Sequence, residues 1–477
     1  MKTIGRDKWP RWLKHAVGQR KRIEIKEDSG RYYAYQPIPK WDKTRKRPTR
    51  TSVYLGRVKE TGIVTPHKTK LHGIYEYGHI QFIWNVLEKN GILKSLKRIF
   101  PDDWKLLLIF AMNRLIDPRP LKSIKEWYEK TYLVKKINTP LSPEIMARAL
   151  FRVGLTWKSQ TEFFESLKQN GEKILYDGSV IFSESDENNL LEVGYNKDYL
   201  YLTKANIVLA FSYDRFIPVF FRLLPGSVHE IASLDILISE LGRQVILVMD
   251  KGFCSETIFK KMSAKIGFLT PLKRNSSKID YKAKLNSFFM YRERPIKCTS
   301  YKQERYHIYL FEDLSLKIEE QKTYYKLLSK GKKPEFREEW AGKIALISNR
   351  KFKPQDAYEL WKSREHIEKS FHVLQNVLDT DRPYVRKQET FGGYIFASFI
   401  SLIGYYLMLT MLKKTRPKKS ERSLNSKVSV GDLLLELSKI YKVELGKKEV
   451  LSEVSKKART LLKLLGVTDI ITKNTES

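Results

Sequence analysis

The sequence predicts an α/β fold in which a mixed sheet is flanked by helices, and three observations support this. Apolar residues recur at helical spacing over residues 76–170. From residue 172 onward the apolar runs last four to eight residues and are rich in Val, Ile, Phe and Tyr, which is typical of strands. Further along, these runs follow the order three strands, helix, strand, helix, strand, which predicts a mixed sheet with helices packed on it.

Length and charge set the broad class of the protein. The chain has 477 residues, enough for three or four domains of roughly 150 residues each. Its net charge of +35 predicts an anionic partner, most commonly nucleic acid, although a membrane surface or a merely solvated Lys-rich surface would also fit. The two cysteines, Cys254 and Cys298, exclude a disulfide scaffold and a Cys-rich zinc module. The N-terminal residues contain no apolar secretory segment, so we expect a cytoplasmic, nucleoid-associated protein.

Residues 1–75 are the most basic part of the chain, with twenty Lys and Arg against six Asp and Glu. Three prolines break any helical pattern, and aromatic residues lie near a dense basic run, so we expect short strands with a basic loop. Such a region would contact the DNA backbone, because each cation can neutralise a phosphate. The candidate contacts are Arg45, Lys46, Arg47 and Arg50. The alternative is a basic arm without a defined target.

Residues 76–170 are interpreted as a helical DNA-binding domain, and 171–274 as the first part of the sheet-containing core. Ser142 followed by Pro143 is a typical start of a helix. The sequence around Tyr213-Asp214-Arg215 predicts a turn between two strands. The predicted strands are 174–184, 199–202, 206–212, 217–224, 245–249 and 268–272. The predicted helices are 233–241 and 255–266.

Residues 275–342 interrupt this alternation and are interpreted as a β-rich insertion. The second part of the core, 343–412, begins with a predicted strand at 344–348 and a long helix at 354–378. Residues 413–477 are interpreted as a basic, helical C-terminal tail.

Residues 391–412 contain no charged residue. By length this segment could cross a bilayer, and two lysines follow it. However, glycines and serines reduce its apolarity, and the segment stands alone in an otherwise polar chain. A helix that is apolar all round is equally expected at the centre of a large domain. We therefore favour a buried helix over a membrane span.

Two aspartates stand out by their positions in the predicted sheet, and Asp250 lies where such sheets gather ligands. Asp177 lies within the first predicted strand and precedes a glycine, while Asp250 ends the apolar run 245–249. Ligands bind outside the carboxyl ends of strands in such sheets. The alternatives are an Asp-Gly turn for Asp177 and a helix cap for Asp250.

A third carboxylate is expected from the long helix. At 100° per residue, Trp361, Arg364, Glu368 and Gln375 fall within about 60° of one another, on one flank of the buried stripe. Glu368 is therefore the candidate, and the alternative is a simple helical ion pair with Arg364. Three converging carboxylates repel one another unless a cation lies between them. Oxygen ligands suit Mg²⁺ or Mn²⁺, and a pair of such ions is typical of attack on a phosphodiester. We found no phosphate-binding P-loop and no zinc spacing among the histidines.

Several motifs, taken in order, resemble those of the DDE transposases of prokaryotic insertion sequences. The resemblance is strongest to the group with the signature Tyr-x2-Arg-x3-Glu-x6-Lys and a β-rich insertion before the glutamate. It covers most of the chain. The matching segments are Trp41-Asp42-Lys43, Tyr54-Leu55-Gly56, Tyr176-Asp177-Gly178-Ser179, Leu224-Pro225-Gly226-Ser227, Val248-Met249-Asp250-Lys251-Gly252-Phe253, Phe268-Leu269-Thr270-Pro271-Leu272-Lys273, Arg364-x-x-x-Glu368, Ile367-Glu368-Lys369-Ser370-Phe371 and Asp381-Arg382-Pro383-Tyr384-Val385.

The resemblance implies a ribonuclease H-like core in which Asp177, Asp250 and Glu368 are the catalytic, metal-binding triad for two Mg²⁺ or Mn²⁺ ions. It also implies that Arg364 and the neighbouring signature positions bind DNA. Two of those positions depart from the family pattern, because Trp361 replaces the tyrosine and Gln375 replaces the lysine. An aromatic ring can still stack on a base, whereas glutamine lacks the charge of lysine.

The sequence therefore predicts an insertion-sequence transposase. It would bind terminal inverted repeats, cleave DNA at the element ends and join them to target DNA, acting as a homodimer without a membrane partner. One alternative is a non-catalytic DNA-binding protein, a decayed relative of such an enzyme. Another is a basic protein anchored to a membrane by residues 391–412.

Overall fold

The structure is a computed structural model. It describes residues 1–20, 22–42, 47–65, 71–182, 188–192, 203–227, 234, 238, 245–263, 266–380, 383, 385–415, 428–446 and 448–472, with the backbone alone at 42, 261 and 263. The predicted strand 199–202 and most of the predicted helix 233–241 lie outside this description. So do several residues named above, which are Lys43, Arg45, Lys46, Asp381, Arg382 and Tyr384.

The described chain divides into two compact units. The first comprises Met1–Gly73 with Glu444–Glu449, and the second comprises Ile74–Val443 with Val450–Ser477.

The first unit is built on a five-stranded antiparallel sheet with the strand order β1-β2-β3-β4-β5. Helix α1 (Arg11–Val17) packs on one face through Leu13 and Val17, against Ile25, Ala34 and Val58 of the sheet. The strands are β1 (Lys2–Ile4), β2 (Glu24–Asp28), β3 (Arg31–Asp42), β4 (Arg47–Lys59) and β5 (Gly62–Val64). Strands are present as predicted, but β3 and β4 are 12 and 13 residues long and not short. The predicted basic loop falls on residues 43–46, outside the described residues, and helix α1 was not predicted.

Strand β6 (Leu71–Glu76) spans the boundary between the units, and the second unit continues with a group of helices, as predicted for residues 76–170. The helices are α2 (Gly78–Lys89), α3 (Ile92–Ile99), α4 (Trp104–Ile116), α5 (Ile124–Lys130), α6 (Leu133–Ile137), α7 (Pro143–Leu155) and α8 (Trp157–Leu167). The predicted start of α7 is confirmed, because the Ser142 side chain accepts a hydrogen bond of 3.2 Å from the backbone of Ile145.

A nine-stranded mixed sheet follows, with the order β12-β13-β14-β15-β11-β10-β7-β8-β9. Strand β10 is parallel to β7 and β11, and all other pairs are antiparallel. All nine residues of β8 are buried. The first elements are β7 (Lys173–Phe182), β8 (Lys204–Ser212), β9 (Ile217–Pro225), β10 (Ile246–Val248), α9 (Glu256–Ser263) and β11 (Gly267–Pro271).

The segment interpreted as an insertion extends this same sheet. Its strands are β12 (Ser287–Tyr291), β13 (Arg294–Gln303) and β14 (Tyr306–Asp313), and a helix α10 (Leu314–Leu328) follows them. Strand β14 pairs with β15 (Lys343–Ser348), which in turn pairs with β11. The segment therefore lengthens the core sheet at one end, and it also contains a 15-residue helix.

The helix predicted at 354–378 is divided into three parts. These are α11 (Pro354–Lys362), α12 (Glu365–His372) and a π-helical turn (Val373–Val377). At the first break the backbone N–H groups of Arg364, His366 and Ile367 bond to the carbonyl three residues earlier, which is a tighter 3₁₀ pattern. All three parts contribute side chains to the site described below.

Residues 391–412 lie within one long helix, α13 (Gln388–Lys414). It is apolar and long enough to cross a membrane, yet 72% of its most apolar 18-residue window is buried inside the described protein. Two of its small residues explain the burial: Gly393 lies against the Leu150 carbonyl of α7, and the Ser401 hydroxyl donates 3.1 Å to the Ala111 carbonyl of α4. These contacts support the interpretation as a core helix. The last elements are α14 (Val430–Leu437), β16 (Tyr441–Leu445), β17 (Lys448–Leu451), α15 (Lys456–Leu464) and α16 (Asp469–Thr472).

Candidate active site

Asp177 and Asp250 lie on neighbouring parallel strands. The register pairs Leu175 of β7 with Val248, the last residue of β10, so Asp177 and Asp250 stand two residues further at the same level. Strand β7 continues through Gly178, which excludes the Asp-Gly turn considered for Asp177. Asp250 precedes a three-residue 3₁₀ helix, but its side chain does not cap it. The parallel pairing thus brings two carboxylates together.

Arg364 connects the two carboxylates. Its Nη2 donates to Asp177 Oδ2 over 2.8 Å, and its Nη1 donates to Asp250 Oδ1 over 3.0 Å. The Arg364 side chain is 12% exposed, that of Asp177 17% and that of Asp250 43%. One guanidinium therefore bridges both acids, and these are charge-assisted bonds of the strong kind.

The environment of Asp177 acts on its pKa in opposite directions. Burial raises the pKa, because a charged carboxylate loses its hydration, and the nearby Asp250 adds to this. The positive charge of Arg364 and the backbone N–H of Gly178, 3.0 Å from Oδ1, lower it. Burial is the larger effect, so the pKa of Asp177 lies above its ordinary value.

Glu368 lies on α12, one helical turn beyond Arg364, and is exposed. Its carboxylate makes no ion pair within the described part of the chain, so the helical pair with Arg364 considered above is not formed. Across the described ranges, no three His, Cys, Asp or Glu side chains stand close enough together to hold a metal ion. The structure thus joins Asp177 and Asp250, while Glu368 stands apart from them beside the same arginine.

Glu368 lines a cleft of about 240 Å³ together with Trp361 and Arg364. The cleft is completed by Tyr291, Arg292, Arg294, Lys362 and Glu365. Four cations against two carboxylates make this cleft positively charged. The indole N–H of Trp361 and the Nε of Arg364 are buried and have no hydrogen-bond partner among the described residues. Trp361, Arg364 and Glu368, which were predicted to share one flank of the helix, therefore line the same cleft.

Two of these cations come from the β12–β13 hairpin, and sequence reasoning missed them. The turn residues Arg292 and Glu293 have φ values of 47° and 67°, as a two-residue hairpin turn requires. Such turns usually contain glycine or asparagine, so the residues gave no turn signal. The turn brings Arg292 to an ion pair with Glu365, and that hydrogen bond lowers the pKa of Glu365.

Gln375 is bonded within the protein. It lies in the π-helical turn, and its Nε2 donates 2.7 Å to the Val180 carbonyl and 3.4 Å to the Ser179 hydroxyl, both on β7. Gln375 therefore attaches the helix to the strand that carries Asp177. Gln375 does not line the cleft of Glu368, because the α-helix becomes a π-helical turn between these two residues.

The remaining predicted DNA contacts lie in the first unit. Arg47 and Arg50 are exposed on strand β4, and Arg45 and Lys46 precede it outside the described residues.

The carboxylate pair has the chemistry of a divalent-cation site. Asp177 and Asp250 offer only oxygen donors, which suit Mg²⁺ or Mn²⁺. The Arg364 guanidinium already supplies positive charge between them, so the position between the two acids accommodates a cation. The two aspartates therefore fit a divalent ion, while Glu368 shares with them only the neighbouring Arg364.

Residues 184–403 match the protein family described as "Transposase DDE domain". Among solved structures, the chain is similar to the piggyBac transposase synaptic complex with hairpin DNA, with 10% identity, a TM-score of 0.42, and coverage of 84% of this chain and 88% of that chain. It is also similar to the Mos1 transposase paired-end complex with left transposon end, with 12% identity, a TM-score of 0.15, and coverage of 33% and 56%. None of the curated proteins matches. The segment that contains Asp250, Arg364 and Glu368 is therefore similar to a transposase DDE domain.

Proposed function

We propose that this chain is a DDE transposase of a prokaryotic insertion sequence. The observation that carries the proposal is the joining of Asp177 and Asp250, on neighbouring parallel strands, by Arg364, with Glu368 one helical turn away. The family match over residues 184–403 and the net charge of +35 support it. The antiparallel β7, β8 and β9 followed by the parallel β10 and β11 support a ribonuclease H-like core.

Asp177, Asp250 and Glu368 would hold two Mg²⁺ or Mn²⁺ ions. When bound, such ions supply the positive charge that activates the attacking oxygen and stabilises the leaving oxygen of a phosphodiester. The Asp177 and Asp250 carboxylates must exchange their bonds to Arg364 for the ions. Glu368 has no competing partner among the described side chains, so it is free to turn toward them.

The reaction would proceed in two displacements. A water oxygen attacks the phosphorus at the element end, the bond from phosphorus to the 3′ oxygen breaks, and the chain end becomes a 3′-hydroxyl. That hydroxyl then attacks a phosphodiester of the target DNA, and the target's own 3′ oxygen leaves. A homodimer would hold the two ends together.

The residues around the carboxylates would position the DNA. Arg364, once released, is placed to contact the phosphate next to the cleavage point, and the Trp361 ring can stack on a base. Gln375 would add a hydrogen bond to phosphate only by giving up its bonds to β7. The exposed Arg47 and Arg50, with Arg45 and Lys46, would contact the DNA backbone further away.

The test is end cleavage by the purified full chain. Duplexes that carry the terminal inverted repeats flanking the gene are incubated with Mg²⁺ or Mn²⁺. We expect Asp177→Ala, Asp250→Ala and Glu368→Ala to abolish cleavage. Asp356→Ala is the matched control, since this exposed aspartate on α11 lies outside the cleft. Cleavage that persists in all three variants would exclude the triad.

A second candidate function is non-catalytic DNA binding by a decayed relative. It is favoured by Gln375, which stands where the resemblance implies a lysine and which bonds to β7. This candidate predicts salt-sensitive DNA binding without metal-dependent cleavage. Cleavage by the wild-type chain would exclude it.

A further inference from the structure

The sheet of the first unit has two different faces. One face packs on α1, through residues such as Ile25 and Ala34. The opposite face carries Tyr33 and Tyr35 of β3 and Tyr54 of β4. The Tyr54 ring centroid lies 5.3 Å from that of Tyr35 and 6.3 Å from that of Tyr33. Tyr54 is 41% exposed, so this aromatic cluster faces outward.

The same face continues along β3 beyond the cluster. Pairing with β2 ends at Tyr35, and from there β3 and β4 form a two-stranded ribbon. Because side chains alternate along a strand, Pro37, Pro39 and Trp41 follow Tyr35 on its face. Trp41 is 59% exposed. Together Tyr33, Tyr35, Tyr54, Pro37, Pro39 and Trp41 form what we call the aromatic face, about 26 Å long at 3.3 Å per residue.

Cations accompany the aromatic face. The Lys26 ammonium lies 4.6 Å from the Tyr35 ring centroid. The register places Arg57 opposite Tyr33 and Arg50 opposite Pro39, so both arginines share this face. Glu24 is also present, and its carboxylate accepts hydrogen bonds from Thr3 and Ser52. The charge of the first 75 residues, twenty cations against six acids, favours an anionic partner for this surface.

The spacing of the side chains selects the form of DNA. Same-face residues on one strand repeat about every 6.6 Å, which is two residues at 3.3 Å each. Stacked bases in B-DNA repeat about every 3.4 Å along a strand, so the rings cannot match stacked bases one to one. Unstacked bases can spread to the wider spacing, and each offers a flat face for a ring. We propose that the aromatic face binds single-stranded DNA, with the bases on its rings and the phosphates near Lys26, Arg50 and Arg57.

This inference rests on the proposed function only in taking DNA as the partner. In the proposed reaction the DNA strands are broken at the element ends, and a strand that unpairs beside the break would be single-stranded next to the protein. The aromatic face would hold such a segment.

The test compares two DNA probes on the full chain by fluorescence anisotropy at one fixed salt concentration. The probes are a labelled 20-nucleotide oligothymidylate and a labelled 20-base-pair duplex. We expect the double variant Trp41→Ala, Tyr54→Ala to lose at least tenfold in affinity for the oligothymidylate and less than twofold for the duplex. Arg50→Gln with Arg57→Gln should weaken both and reduce the salt dependence.

Tyr325→Ala is the matched control, because this tyrosine is 66% exposed on α10, in the other unit. It should leave the affinity for both probes unchanged. An equal loss of affinity for both probes, or none, in the Trp41, Tyr54 variant overturns the inference while leaving the proposed function intact. A wild-type chain that binds the duplex but not the oligothymidylate would likewise overturn the inference alone, whereas one that binds neither probe would contradict the proposed function as well. Circular dichroism checks that the variants remain folded.

Discussion

The guanidinium of Arg364 donates to the carboxylate of Asp177 over 2.8 Å, and both side chains are less than 20% exposed, at 12% and 17%. A second bond of 3.0 Å leads to Asp250, so one arginine neutralises part of the repulsion between two neighbouring acids. The proposed divalent ion would occupy the same position, so the arginine and the ion would compete for the carboxylates. This competition can be measured without any DNA.

Arg364→Gln should lower stability and strengthen metal binding. Loss of the buried, charge-assisted bond to Asp177 should cost roughly 2–3 kcal/mol in free energy of unfolding. The bond to Asp250 adds less, because that carboxylate is 43% exposed. Mn²⁺ should bind the variant more tightly than the wild type and restore part of the lost stability. Urea denaturation with and without Mn²⁺ measures both effects.

Arg292→Gln is the control for that experiment. Its ion pair with Glu365 joins side chains that are 58% and 30% exposed, so its loss should cost about 0–1 kcal/mol. Mn²⁺ affinity should stay unchanged. If Arg364→Gln and wild type unfold at the same urea concentration, the bridging bonds contribute nothing to the fold.

Glu368→Gln and Glu365→Gln should distinguish a role in DNA cleavage from a role in stability. Glu368 makes no ion pair with any described residue, so its neutral variant should keep full stability and lose at least a hundredfold in end cleavage. Glu365 pairs with Arg292 and Lys369, so its variant should lose a little stability and keep most of the cleavage. Thermal unfolding and a cleavage time course measure the two quantities. The reverse pattern would assign the metal ligand to Glu365.

Gln375→Lys tests whether the missing lysine limits DNA binding. The variant should bind element-end duplexes several-fold more tightly, with a salt slope larger by about 1, because one more phosphate would be neutralised. It should also lose about 1 kcal/mol of stability with the hydrogen bond to the Val180 carbonyl. Asn376→Lys adds the same charge at the next, exposed position without disturbing β7. Equal DNA affinity in the two lysine variants would mean that Gln375 has only a structural role.

The sheet and its two aspartates could be predicted because each aspartate directly follows a short apolar run, within a strand for Asp177 and just beyond the end of one for Asp250. The parallel pairing of β7 with β10 then brings Asp177 and Asp250 to the same level of the sheet. The side-chain positions on the helix predicted at 354–378 could not be predicted as well. A rotation of 100° per residue holds only for one continuous helix. The break at Ser363 and Arg364 and the π-helical turn change the phase, so Gln375 reaches β7 while Trp361 and Glu368 keep the cleft. Contacts from distant parts of the chain, such as Arg292, depend on tertiary structure alone.

Gly393→Ala should show that α13 is a core helix. Only in a closely packed helix does one added methyl group lower the free energy of unfolding. A Cβ at this position would lie 1.9 Å from the Leu150 carbonyl oxygen of α7, so one helix must move away from the other. We expect a loss of at least about 1–3 kcal/mol, the usual cost of overpacking. Gly392→Ala is the matched control on the same turn, since its Cβ would have no heavy atom nearer than 3.7 Å. That variant should gain up to about 1 kcal/mol from helix propensity. Urea denaturation of both variants, in buffer without detergent, measures the difference, and equal stability would mean that α7 and α13 are not packed as closely as the structure has them.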